Sequence, residues 1–222
     1  VNGFIMFWRI LLAHVLGDYP LQPDWIVFNK RKASSLGAHI AIHFVLMFIL
    51  VGPARVEIWP QLLSLAGVHL LLDMTKSSIL PARANRVFLF YLLDQLLHII
   101  SIYLVANWID RGLDPSLLPA PSGWPLLAAG YIIATYVWFI TERMAYGKDS
   151  HYLIELENHF WSRMIGRAIM LTALLWVSPG WSAIGLGMAV QLPYINGTYR
   201  RRALMVDIAV AGVTAVVINL LR

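Results

Sequence analysis

Leu62-Leu63-Ser64-Leu65-Ala66-Gly67-Val68-His69-Leu70-Leu71-Leu72-Asp73 is an apolar run broken by two ionisable side chains. His69 and Asp73 stand four residues apart, just over one helical turn, so a helix presents both on one face. The run belongs to an apolar stretch over 60–78 that suits a membrane crossing, where ionisable groups are costly and mark function. The same step recurs through the chain. His14/Asp18, His39/His43, Asp94/His98 and the triple His151/Glu155/His159 leave no histidine without a His, Asp or Glu four residues away.

Composition says what solvent these helices meet. The 222 residues are 59% hydrophobic and 13% charged, with a mean hydropathy of +0.67. A soluble domain of this size cannot hide so much apolar surface, so lipid is part of its solvent. The chain has no cysteine, which excludes disulfides, Cys-ligated zinc and thiol catalysis. Its net charge of +5 sits in short basic clusters between apolar runs. Topology and anionic lipid headgroups explain such clusters better than nucleic acid does. The first apolar stretch lacks a small-residue cleavage site and ends in His14 and Asp18, so it reads as a retained helix.

Apolar runs fall near 3–18, 34–52, 60–78, 87–108, 124–142, 164–178, 180–195 and 203–221. The reading is an all-α, polytopic transmembrane bundle of about eight segments in one membrane domain, 1–222. The seventh is short or re-entrant, bracketed by Pro179-Gly180 and Pro193. Eight crossings gather most basic residues, Lys30, Arg31, Lys32, Lys76, Arg83, Arg86, Arg143, Lys148, Arg163, Arg167 and Arg200 to Arg202, on one side. That bias makes the side cytoplasmic and puts both termini outside. Trp59, Trp108, Trp124, Trp176 and Trp181 then lie near the outer ends, with Trp25 and Trp161 flanking the inner ones, as in an aromatic belt. Asp24 is expected to cap a short interfacial helix, and Ser34 and Ser35 the second membrane helix.

On this topology His14, Asp18, His39, His43, His69, Asp73, Asp94 and His98 all fall in the cytoplasmic parts of helices one to four, and the His151 triple falls in a cytoplasmic loop. The orientation rests on Lys, Arg and Trp alone, yet it brings every set to one side. Imidazole and carboxylate together suit zinc, manganese, iron or nickel, and helix bundles build metal sites from facing helices. An ion with an open position makes bound water a nucleophile near neutral pH; without an ion the same groups can relay protons. Plain packing is the competing reading, strongest for His39/His43 and weaker for the carboxylate pairs, whose buried charge needs a partner. The His151 triple reads as a solvated amphipathic turn. Asp207 reads as a partner of Arg200 to Arg202, Glu142-Arg143 as a helix-end pair, and Gly185-Leu186-Gly187 as a close-packing element. HExxH, GxSxG, P-loop and dinucleotide signatures are all missing.

Several blocks resemble the bacterial membrane family known as domain of unknown function 3307. They are His14-Val-Leu-Gly-Asp18-Tyr-Pro-Leu-Gln22-Pro-Asp24-Trp25 with Asn29-Lys30, the His39 to His43 step, His69 to Asp73 with Lys76, and Leu93-Asp94-Gln95-Leu-Leu-His98. The resemblance covers 1–112 and implies a polytopic membrane fold. It singles out His14, Asp18, Gln22, His69, Asp73, Asp94, Gln95 and His98, and implies no activity.

The leading expectation is a metal-dependent hydrolase of a lipid-linked or amphipathic substrate, in the bacterial cytoplasmic membrane and approached from the cytoplasm. His14, His69 and His98 with Asp18, Asp73 and Asp94 supply the ligands, Asp24 the general base, and Lys76 or the arginine cluster an anionic-headgroup contact. Gln22, His39, His43 and Gln95 line the pocket. A divalent-metal or proton-coupled transporter and a non-catalytic membrane partner are the alternatives. The outer halves of the helices carry almost no ionisable residue, which favours a one-sided pocket over a through-path.

Overall fold

Long apolar runs with few breakers fold as helices, and the computed structural model contains only helices among its described residues, 4–30, 32–79, 87–120, 122–176, 181–191 and 197–221. The chain divides into two compact units, 1–129 and 130–222.

The first unit holds α1 (Ile5–Asp18), α2 (Asp24–Phe28), α3 (Ala33–Leu50), α4 (Arg55–Ile79) and α5 (Val87–Gly112), and the start of α6 (Trp124–Ile132). Helices α1, α3, α4 and α5 form a closed ring in which each packs on two neighbours, while α2 lies on α3. Gly52, at φ 73, makes the left-handed turn after α3 that an L side chain would resist. Arg9 ties α1 to the end of α3, donating from Nη1 to the Leu50 carbonyl at 2.7 Å. At the opposite end Gly17 lets α1 approach α3 closely, since a Cβ there would lie 2.7 Å from the His43 ring.

The ring is inverted relative to a water-soluble bundle. Helix α3 buries Ser35, His39, His43 and Met47 while Val45 and Ile49 face outward. Helix α5 buries Asp94 and His98 while Leu93, Leu96, Leu97, Ile99 and Ile100 are exposed. Polar groups inside and leucines outside is the arrangement that a lipid solvent favours.

The second unit continues α6 through a π-helical turn, Ile133–Val137, into α7 (Trp138–Ala145), and adds α8 (Ser150–Asn158), α9 (Phe160–Trp176), α10 (Trp181–Gln191) and α11 (Gly197–Leu221). Helix α9 packs on α10, α11 and the π turn. Gly187 permits the approach of α10 to α9, because a Cβ there would sit 2.9 Å from the Gly166 carbonyl. Gly185 faces open space, so one glycine of the pair serves close packing.

All eight apolar runs contain helix, but among the described residues only four stretches are long and apolar enough to cross a membrane: Ala33–Leu50, Val87–Gly112, Trp124–Ala145 and Arg201–Leu221. Helix α1 has 14 residues and α10 has 11, about 21 and 16 Å at 1.5 Å per residue. Helix α4 has 25 residues, but its polar content keeps it out of this set. Two capping expectations are corrected. Pro23 occupies the N-cap of α2 with Asp24 as the first helical residue. Lys32 occupies the N-cap of α3, leaving Ser34 and Ser35 in the first turn.

Candidate metal centre

The ring of four helices decides where the four-residue steps meet. His14 and Asp18 close the C-terminal end of α1, His39 lies in the N-terminal half of α3 with His43 just past its middle, His69 and Asp73 lie in the C-terminal half of α4, and Asp94 and His98 in the N-terminal half of α5. Alternating chain direction brings these four ends together, and all eight side chains pack into one cluster, buried except for the slightly exposed Asp18. The His43 and His69 ring centroids are 4.1 Å apart, and those of His69 and His98 4.3 Å.

At its middle, acceptor atoms crowd together. His39 Nε2 is 3.2 Å from Asp18 Oδ1, 3.3 Å from Asp73 Oδ2 and 3.2 Å from His69 Nε2. His69 Nε2 is 3.9 Å from both carboxylate oxygens, and His43 Nε2 lies 3.1 Å from Asp18 Oδ1. Gln22 sets the tautomer of His39. With its amide oxygen turned inward, that oxygen accepts from His39 Nδ1 at 3.0 Å and from Lys30 Nζ at 3.2 Å, while the amide nitrogen donates to the Asp18 carbonyl at 3.2 Å. A proton on Nδ1 leaves Nε2 of a neutral ring as a bare lone pair. His98 repeats the device: Nδ1 donates to the Asp94 carbonyl at 2.8 Å, and Nε2 is buried without a hydrogen-bond partner. His14 Nε2 and Asp73 Oδ2 also lack hydrogen-bond partners.

Lone pairs facing one another in a buried site repel unless a proton or a metal cation lies between them. Atoms bound tetrahedrally at about 2.0–2.1 Å stand about 3.3 Å from one another, close to the spacing around His39. Three overlapping groups, His14/Asp18/His43/His69, His39/His69/Asp73 and Asp73/Asp94/His98, each have ligating atoms within 4.8 Å of one another and can hold a metal ion.

The remaining polar residues ring this centre. Lys30 Nζ is 3.5 Å from Asp73 Oδ2, and Lys76 Nζ is 2.6 Å from Asp94 Oδ2. Gln95 donates to the same Asp94 oxygen at 3.1 Å and accepts from Tyr19, whose hydroxyl is 2.9 Å from that of Tyr91. Burial and then the neighbouring Tyr91 push the Tyr19 phenol upward, so it stays a neutral donor. Asp24 does not join the cluster; it is exposed in the first turn of α2. His159 pairs with Glu155 at 3.2 Å, His151 is exposed, and neither histidine belongs to the metal-competent groups found among the described residues. Lys30 and Tyr19 are site residues that the spacing argument passes over, although both fall within the family-like blocks.

The second unit holds a buried network that corrects two expected pairs. Arg163 grips Asp207 through Nε at 3.1 Å and Nη2 at 2.7 Å, and Glu142 through Nη1 and Nη2 at 3.0 Å each. Arg167 reaches Asp207 through Nε at 2.5 Å and Glu142 through Nη2 at 3.0 Å, and turns Nη1 to the Thr135 carbonyl of the π turn at 3.4 Å. Tyr152 donates to Glu142. Among the described side chains Asp207 therefore pairs with α9 rather than with Arg201 and Arg202, Arg200 lying outside that set, and Glu142 turns inward while Arg143 bridges to Glu157 at 3.1 Å on the surface. The readable signal was two arginines four residues apart at an apolar run, with a lone Asp207 in another; each buried charge needs a partner.

The first unit is thus an all-helical ring around a buried histidine–aspartate centre. Residues 6–115 match the family model described as "Protein of unknown function (DUF3307)". The N-terminal half of the chain is a DUF3307 domain, as its motifs imply, and the whole centre lies within it. No curated protein and no solved structure matches the chain.

Proposed function

We propose that this chain is a multi-pass protein of the bacterial cytoplasmic membrane whose first unit is a metal-dependent hydrolase acting on a lipid-linked or amphipathic substrate. One observation carries the reading: His69 Nε2 and Asp73 Oδ2 meet His39 Nε2 at 3.2 and 3.3 Å in a buried site, with Asp18 Oδ1 3.2 Å from the same nitrogen. In this scheme His39, His69 and Asp73, whose ligating atoms lie within 4.8 Å of one another, hold a divalent ion such as zinc, manganese or iron, with Asp18 beside them. His43 orients Asp18, and Gln22 fixes His39. When bound, the ion lowers the pKa of its water to about 7 and supplies a nucleophile. His98, with Nε2 bare and its ring beside His69, is better placed than exposed Asp24 to take the proton.

The membrane reading rests on the inverted ring and on the charge bias, which together favour eight segments, α1 and α10 among them as short or tilted pieces, with the centre at the cytoplasmic side. Beyond the histidines the pocket is lined mainly by Ile10, Met47, Leu65 and Ile102, with Ser101 alone polar among them. That apolar floor favours a one-sided enzyme site over a transport path.

The test is metal content in the full chain purified in detergent without chelator, after supplementation with zinc, manganese, iron or nickel. Near-stoichiometric metal is expected in wild type and in His151→Ala, with loss in His39→Ala, His69→Ala and Asp73→Asn. Absence of metal in wild type under all four regimes overturns the reading. Hydrolysis of a panel of chromogenic carboxylic and phosphate esters, abolished by chelator, then separates an enzyme from a metal-storing or transporting protein.

A further inference from the structure

We infer that Lys30 and Lys76 form the phosphate-binding rim of this centre, with Lys30 held in reserve on Asp73 until an ion takes its place. The proposal rests on the metal reading above and names its substrate class: a molecule carrying a phosphate ester group.

Solvent meets the centre at the two ammonium groups. Lys30 and Lys76 side chains are 27% and 26% exposed, against 12% for Asp18 and 6% or less for the other carboxylates and imidazoles. Anything entering from the exposed side passes them. The centre holds three carboxylates, Asp18, Asp73 and Asp94, together with these two ammonium groups, so with neutral imidazoles it carries one net negative charge. A divalent ion reverses that to one net positive charge. The centre then attracts an anion where before it repelled one.

The lysines differ in how they are held. Lys30 stands 3.5 Å from Asp73 Oδ2, too long for a good hydrogen bond, and its closer partner is the Gln22 amide oxygen at 3.2 Å. That oxygen is also one of the converging ligands. An ion bound there competes directly with Lys30, whose flexible stem lets the ammonium swing outward. Lys76 is fixed: Asp94 Oδ2 accepts from it at 2.6 Å, and the Tyr91 ring lies under it at 6.0 Å. An ammonium has three N–H donors, so Lys76 keeps donors for a ligand while Asp94 positions it. A phosphate group offers enough oxygens to touch the ion and both lysines together, which a two-oxygen carboxylate does poorly. Just before Lys30, α2 exposes Trp25 and Phe28, at 53% and 82%, an apolar surface suited to an acyl chain next to the phosphate. A phospholipid headgroup and a soluble phosphate ester share this chemistry.

The experiment uses the full chain in nanodiscs, loaded with metal and stripped of excess. Inorganic phosphate, glycerol 3-phosphate and vesicles of phosphatidylcholine with or without phosphatidic acid are the probes. Phosphate should bind the loaded protein and not the chelator-stripped one. Lys30→Ala and Lys76→Ala should each weaken that binding by about tenfold or more, while Lys30→Ala binds metal as tightly as wild type or tighter. Binding of phosphatidic acid vesicles alone assigns the lipid source, and binding of the soluble probes alone assigns a soluble ester; both support the rim. Failure of every probe on loaded protein, phosphate affinity unchanged in both lysine variants, or weaker metal binding in Lys30→Ala overturns it and leaves the metal reading standing. Failure to load metal in wild type overturns the metal reading itself.

Discussion

His39 Nε2 and His69 Nε2 face each other at 3.2 Å in a buried site, with Asp18 Oδ1 and Asp73 Oδ2 at similar distance from the first of them. The Gln22 amide oxygen, turned to the Nδ1 side of His39, holds a proton there, so a neutral His39 presents the Nε2 lone pair to that meeting point. Gln22 thereby acts on the ion through His39. Gln22→Leu should lower metal affinity by about 10–100-fold while leaving the helix content by circular dichroism as in wild type. Competition with a chelating dye measures it, and wild-type affinity in Gln22→Leu would refute the tautomer argument.

Gly17 is where α1 and α3 approach. A Cβ at this position would lie 2.7 to 2.9 Å from three atoms of the His43 ring, and His43 orients Asp18 at 3.1 Å. Gly17→Ala must therefore push the ring or the helix. The expected cost is about 1–3 kcal/mol in detergent unfolding, together with reduced metal content. Unchanged values of both would mean that the ring moves aside freely.

Much of this centre is legible in the sequence because its parts are local. His69 and Asp73 share a face by helical geometry, and the parity of the crossings carries His14, His39, His69 and His98 to the same end without any knowledge of packing. The centrality of His39 is not legible, since it depends on atoms from α1 and α4 and on Gln22 beyond the end of α1. The same holds for Arg163 and Arg167, whose partners Glu142 and Asp207 come from other helices. Local charge proximity pointed Asp207 to Arg200 to Arg202, whereas burial decides the pairing: the fully buried carboxylate takes two buried guanidinium groups, Arg163 in a bidentate grip and Arg167 through Nε.

That pairing predicts an asymmetric mutational response. Two arginines balance two carboxylates, and all four are buried. Arg167→Met removes one positive charge and leaves Asp207 and Glu142 in excess, at a cost of about 3–5 kcal/mol. Adding Asp207→Asn to Arg167→Met restores neutrality and should recover part of the loss. Melting temperatures of the two single variants and the double variant form the cycle that measures it. Simple additivity of the two single losses would show that the charges do not act as a unit.

Tyr152 supplies the pH-dependent member of the same network. Its hydroxyl donates to Glu142, and burial followed by the Glu142 carboxylate pushes its phenol up from the ordinary 10.0. The folded protein therefore keeps a proton that the unfolded chain loses, so this contribution is complete below pH 10 and declines as pH rises further. Tyr152→Phe removes the donor, while Arg163 Nη1 still satisfies Glu142 Oε1 at 3.0 Å. The variant should lose only about 1 kcal/mol at neutral pH. Its deficit relative to wild type should shrink above about pH 10, where the wild-type hydroxyl begins to cost stability. Parallel melting curves of the two proteins from neutral pH to about pH 11 decide the matter, and a deficit constant across that range would show that the phenol does not keep its proton through Glu142.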